Sequence, residues 1–243
     1  MNGLVSKIEK EIIRAKDFQF NPSKISISKS ELASMIDHTL LSPDATSSQI
    51  DKVCDEALKF NFYSVCVNSL WVPHVFERVN GKSKVTSVVA FPFGAVSSKI
   101  KSAEASWAVE HGADEIDMVI NIGALKDSEY TEVYDDIKAV VEAARNKTVK
   151  VIIETALLSF EEKVAACVIS KEAGAHFVKT STGYSKGGAV DKDVALMRFV
   201  VGEKMGVKAS GGIHSYEDAA KMIAAGANRI GASRSVEIIG GAK

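Results

Sequence analysis

Cysteine and proline are scarce in this chain, and no sign of charge dominates. The three cysteines, Cys54, Cys66 and Cys167, form an odd, sparse set that does not suggest a disulfide framework. No pair of them has the spacing of a metal site, and no metal is expected. A reducing, cytoplasmic setting is the simplest reading. With only four prolines and no low-complexity stretch, no linker divides the chain. No apolar run reaches the ~18 residues of a membrane span. The start, Met1 to Asp17, is charged and amphipathic and lacks the apolar centre of a signal peptide. Basic and acidic residues number 30 and 31, a formal net charge of −1. Such balance gives no long-range pull toward nucleic acid or an anionic membrane, so an anionic small molecule needs a local positive site.

What is present is ordinary globular material. Hydrophobic residues make up 46% of the 243 and charged residues 25%, enough apolar content for a large core. Eight short β-branched, apolar runs centre near Ile36, Val65, Val88, Asp117, Ile152, Val178, Lys208 and Ile230, at intervals of 22 to 35 residues. A helical segment fits after each of the first seven. Ser128 to Arg145 reads as one such helix, with Val133, Ile137, Val140, Val141 and Ala144 at helical spacing. Ser159 with Glu162, and Ser215 with Asp218, have the spacing of capping boxes. Gly112, Gly174 and Gly226 each close a helical segment and precede Ala and a strand.

This alternation predicts an α/β fold with a parallel sheet. A single closed (β/α)8 barrel accounts for all eight strands, and barrels of this kind run to about 250 residues. An open doubly wound sheet is the alternative, but no Gly-rich dinucleotide loop follows the first strand. The barrel is expected over residues 31–243. Residues 1–30 are expected to form a helical extension outside it, with Asn21-Pro22-Ser23 ending the first helix.

The chemistry is expected at the C-terminal ends of the strands. Lys179 and Lys208 each interrupt a strand that otherwise suits burial. Alternation turns both toward the barrel axis, with Val178 and Thr180 facing the helices. Burial and like charge should lower both amine pKa values, leaving an amine able to form a Schiff base. The competing reading has each lysine reaching from a strand end to solvent. Asp117 shares a face with Val119 and Asn121, where it would relay protons or merely neutralise a lysine. Asp37 is expected near the top of the barrel. His38 reads as a packed or capping residue. Cys66 would line the pocket or act as a small buried hydrophobe. Small residues in three late loops, at Gly183, at Gly211-Gly212 and over Gly231 to Ser235, suit anion binding by backbone N–H groups.

The segments Asp37-His38-Thr39-Leu40-Leu41, Val65-Cys66-Val67-Asn68, Phe91-Pro92-Phe93-Gly94, Glu115 to Asn121, Ile153-Glu154-Thr155, Val178 to Gly183 and Val207 to Ile213 together resemble the deoxyribose-phosphate aldolases. They run in that family's order over about residues 33 to 235. The resemblance implies reversible cleavage of 2-deoxy-D-ribose 5-phosphate to D-glyceraldehyde 3-phosphate and acetaldehyde, without a cofactor. It implies a Schiff base on Lys179, assisted by Lys208 and by Asp117 as proton donor and acceptor. It places Asp37, Cys66, Thr180, Gly183, Gly211, Gly212 and Ser233 around the substrate, the last four on the phosphate, and it implies a homodimer or homotetramer. His214 stands where the family commonly has arginine, and Arg234 is the expected source of the missing positive charge. Two other readings are a ketose-phosphate aldolase of similar architecture and a barrel that binds a sugar phosphate without catalysis.

Overall fold

The computed structural model describes residues 2–242. The chain opens with α1 (Asn2–Lys16) and a short α2 (Lys29–Ala33), then alternates strands and helices. The order is β1 (Ile36–Leu40), α3 (Ser47–Phe60), β2 (Ser64–Val67), α4 (Val72–Val79), β3 (Lys84–Val89), α5 (Ser98–Glu110) and β4 (Glu115–Val119). It continues with α6 (Ile122–Lys126), α7 (Tyr130–Ala143), β5 (Thr148–Ile152), α8 (Phe160–Glu172), β6 (Phe177–Lys179), α9 (Asp191–Val201), β7 (Gly206–Ser210), α10 (Tyr216–Ala224), β8 (Arg229–Ala232) and α11 (Ser235–Gly240). The strands are parallel and close in sequence order, β8 pairing with β1. All eight positions marked in the sequence fall inside strands, and the architecture is the expected (β/α)8 barrel.

Alternation sorts the strand residues as anticipated. Ile116, Met118, Val149, Val151, Val178, Val207 and Ala209 join the apolar layer between sheet and helices. The residues between them turn inward. Both anticipated capping boxes form, at Ser159 with Glu162 and at Ser215 with Asp218. Each is worth about 1 kcal/mol to its helix. They help fix where α8 and α10 begin, and so where the preceding loops end.

The first helix stops at Lys16, several residues before the expected Asn21. Phe18 leaves the helical path to pack on Phe199 of α9, with ring centroids 5.1 Å apart. Burial of the aromatic ring outweighs one more helical turn. α1 lies against α8 and α9 with Ile8 and Ala15 buried, and the Arg14 guanidinium sits 4.0 Å over the Phe199 ring. The stretch from Phe18 to Ser28 then crosses to α10 without regular structure, where Tyr216 Oη accepts a hydrogen bond from the Ile27 N–H at 2.9 Å.

Candidate active site

Seven charged side chains from six strands meet inside the barrel, all buried. They are Asp37 (β1), Glu115 and Asp117 (β4), Lys150 (β5), Lys179 (β6), Lys208 (β7) and Arg229 (β8). Strand register makes the meeting possible: Lys179 pairs across to Lys208, and Asp117 to Lys150. Asp117 is the hub. Its Oδ1 accepts from Lys150 Nζ at 2.8 Å, and its Oδ2 from both Lys179 and Lys208 at 2.7 Å. Lys208 also donates to Asp37. Arg229 donates to Asp37 and to Glu115, each at 2.9 Å. Lys150 completes the layer with Glu115 Oε2 at 2.5 Å.

Contacts decide which lysine amine is lowered. Burial would lower the Lys208 amine, but Asp117 and Asp37 together overcome burial and raise it. Lys150 is likewise raised, with Asp117 and Asp37 outweighing burial. Lys179 has Asp117 alone within ion-pair distance, so burial, helped by the nearby Lys208 charge, wins and its amine is pushed down. The expectation that both strand lysines would be lowered therefore holds for Lys179 and fails for Lys208, which has a second carboxylate. Three acidic and four basic side chains make up the cluster. Loss of one proton from Lys179 balances the set. Burial would raise the Asp37 and Asp117 carboxyls, yet the surrounding cations hold both well below the usual carboxylate range.

Above this layer a cavity of about 320 Å³ opens at the C-terminal ends of the strands. Lys179 lies at its floor, while Asp117 and Lys208 lie beneath. The walls include Thr182 and Gly183 after β6, Ser210 to His214 after β7, and Gly231 to Ser233 at the end of β8. The N–H groups of Gly183, Gly211, Gly212 and Ser233 donate to no acceptor among the described residues. Late loops with free backbone donors beside a lysine floor suit an anionic substrate with a reactive carbonyl. His214 is on the wall; Arg234 points away, its Nη1 3.9 Å from Glu237. Arg234, the residue before α11, is exposed and does not line the cavity, so the expectation that it replaces the family arginine gains no support.

Three other anticipated positions lie outside the cavity wall. Asp37 is the second residue of β1 and sits below the pocket, where it also accepts from Ser64 Oγ at 2.8 Å. It is not near the top of the barrel, and its influence runs through Lys208. Cys66 is packed with Leu41, Val88 and Phe91, and burial pushes its thiol up. Thr180 Oγ1 donates to the Ser210 carbonyl at 2.9 Å and accepts from the Ser210 N–H at 3.0 Å, strapping β6 to β7. His38 is packed as expected, bonded through Nδ1 to Ser235 and through Nε2 to Glu56.

Sequence reasoning missed several residues. Lys150 sits in Val149-Lys150-Val151, the same lone-lysine pattern that drew attention to Lys179. Glu115 is in phase with Asp117, and Arg229 with Gly231. Two glycines are required by closeness. A Cβ on Gly188 would stand 2.3 Å from the Gly211 carbonyl oxygen, and one on Gly231 would stand 2.9 Å from Lys208 Cε. No local signal distinguishes these two from other glycines. Among the described residues, no group of three or more His, Cys, Asp or Glu is disposed to hold a metal ion.

A buried lysine with a lowered amine, under a barrel pocket whose late loops present free backbone N–H donors, fits one class of protein, the barrel aldolases. The particular family follows from comparison. A profile of the DeoC/LacD family aldolases matches residues 32–241, and the chain belongs to that family. It is 54% identical over 237 residues to the deoxyribose-phosphate aldolase of Thermotoga petrophila, covering 97% of this chain and 96% of that one. It is 56% identical over 214 residues to the deoxyribose-phosphate aldolase of Enterococcus faecalis, covering 87% and 97%. Among solved structures, the tetrameric deoxyribose phosphate aldolase of Aeropyrum pernix superposes with a TM-score of 0.81 at 31% identity, covering 96% of this chain and 95% of that one.

Proposed function

We propose that this chain reversibly cleaves 2-deoxy-D-ribose 5-phosphate to D-glyceraldehyde 3-phosphate and acetaldehyde through a Schiff base on Lys179. The observation that carries the reading is the Lys179 amine, lowered by burial at the cavity floor and 2.7 Å from an Asp117 oxygen that Lys208 shares. The neutral amine adds to C1 of the open-chain sugar, and loss of water leaves an iminium. A base takes the proton from the C3 hydroxyl. The C2–C3 electrons then flow to the iminium nitrogen, freeing glyceraldehyde 3-phosphate and leaving an enamine. Protonation at C2 and return of water release acetaldehyde and the free amine. The iminium is the electron sink, so the route draws on no cofactor. Asp117, whose Oδ2 accepts from both Lys179 and Lys208, would pass protons between them. The amides of Gly183, Gly211, Gly212 and Ser233 would receive the phosphate.

Borohydride reduction with acetaldehyde, followed by peptide mass spectrometry, tests this directly. An ethyl adduct on Lys179, absent from Lys179→Ala, is expected. No adduct, or one on another lysine, would overturn the mechanism and favour a barrel that only binds its ligand.

Two coarser features accompany the reading. The three buried, unpaired cysteines suit a reducing cytoplasm, and no helix among the described residues is long and apolar enough to cross a membrane. A homodimer or homotetramer is the expected assembly. Leu70, Phe76, Ile100 and Trp107 expose apolar surface on and beside α4 and α5 that such contacts would cover. A monomeric mass by light scattering at micromolar concentration would rule this out.

A further inference from the structure

Ile153-Glu154-Thr155 is a stretch of the family resemblance to which the mechanism gives no role. Glu154 follows β5 at the same end of the barrel as the cavity. Its backbone is left-handed, with φ 56° and ψ 65°, although it carries a Cβ. Such a conformation is strained for a residue with a Cβ and persists where the surroundings enforce it. The side chain is 2% exposed. A carboxylate in that position is costly unless its hydrogen bonds accomplish something.

Those bonds converge on one turn. Glu154 Oε2 accepts from the Thr182 N–H at 3.1 Å and from Thr182 Oγ1 at 2.6 Å. Thr182 Oγ1 in turn accepts from the Tyr184 N–H at 3.1 Å. Gly183 lies between these braced residues, at φ +85°, and borders the cavity. Two of the three consecutive amides are therefore engaged, and the Gly183 N–H is the one left for a ligand. The other side of the turn faces Gly211, where an added Cβ would stand 3.5 Å from Gly183 Cα. Glu154 Oε1 has no partner among the described residues, so the bonds to Thr182 are the ones the scaffold uses.

We propose that Glu154 is a positioning residue for the acceptor subsite. Through Thr182 it aims the Gly183 amide at the anionic end of the substrate, and so sets the preference for phosphorylated over unphosphorylated aldehydes. The proposal rests on the aldolase reading above. Glu154 reaches the substrate only through the turn and takes no part in bond making.

The test runs the reaction in the synthetic direction with acetaldehyde as donor. It compares kcat/KM for D-glyceraldehyde 3-phosphate and for D-glyceraldehyde. Glu154→Ala is expected to lower the ratio of the two by about tenfold, the loss of one well-aimed charged contact. Glu154→Gln keeps an acceptor oxygen and is expected to restore most of the ratio. A Glu154→Ala ratio equal to wild type, or a parallel fall for both aldehydes, would overturn the proposal. Should Glu154→Ala not fold, Thr182→Val carries the test, because it deletes the hydroxyl that links both contacts. An unchanged ratio in that variant overturns the proposal equally. Borohydride trapping on the wild type separates the two readings. Failure to trap Lys179 sinks the aldolase mechanism, whereas trapping with unaltered ratios in the variants sinks only the role of Glu154.

Discussion

Buried charge appears on both sides of β4, and the two settings behave differently. Outside the barrel, Lys101 of α5 meets Asp136 of α7 at 2.6 Å and also donates to the Val119 carbonyl. Burial dominates both partners: the Lys101 amine is pushed down and the Asp136 carboxyl up, despite their attraction. Inside the barrel the balance reverses for Asp37, Asp117, Lys150 and Lys208, each of which has more than one opposite charge within reach. A single partner does not offset desolvation; two or three do. Lys179 has one partner, and it resembles Lys101 more than it resembles its own neighbours. The barrel thus lowers the amine of one lysine by giving it fewer carboxylates than the rest.

The sharpest way to break the barrel side of this contrast is Asp117→Asn. It keeps the shape and removes the charge that three lysines share. A fall in kcat/KM of about 10²- to 10⁴-fold is expected, the range for a lost proton-transfer group. Activity within tenfold of wild type would mean that Asp117 only fills space. On the other side, Lys101→Met leaves Asp136 buried without a cation. A loss of about 3–5 kcal/mol in chemical denaturation is expected, while Lys101→Met with Asp136→Leu should recover most of it. If the double variant were as unstable as the single, the pair would be stabilising in its own right.

The smallest effect concerns pH. Because the Lys179 amine is lowered from the ordinary 10.5, the rate of imine formation should rise with pH and level off below that value. Raising pH removes the proton that blocks attack, so the sign is fixed by the direction of the shift. Arg229→Met leaves three acidic side chains facing three lysines. Lys179 then holds its proton more tightly, and the inflection is expected to move up by about one pH unit or less. A downward move would contradict the charge balance. Borohydride trapping rates across pH read both.

Much of this was legible along the chain. Runs of β-branched residues located every strand, because a strand buried on both faces must be apolar wherever it faces helices. Lys179, Lys208 and Asp117 stood out as charges in those runs. Lys150 carried the same signal, in a context as apolar as that of Lys179. The pKa direction of Lys208 was not legible. It depends on Asp37, a partner 171 residues away, reached only when β8 closes against β1. Nor was the brace on the Gly183 turn, since Glu154 and Thr182 are 28 residues apart and meet only at the neighbouring ends of β5 and β6.

By itself the sequence determined the alternation of elements, the inward phase of the charged residues and the glycine loops at one end of the barrel. Periodicity and turn chemistry are local, and each can be read within a few residues. The tertiary structure alone decided how many opposite charges each buried group meets. Desolvation depends on the side chain's own burial, but its compensation depends on neighbours that barrel closure brings together. That count separates a lysine that keeps its proton from one that can lose it.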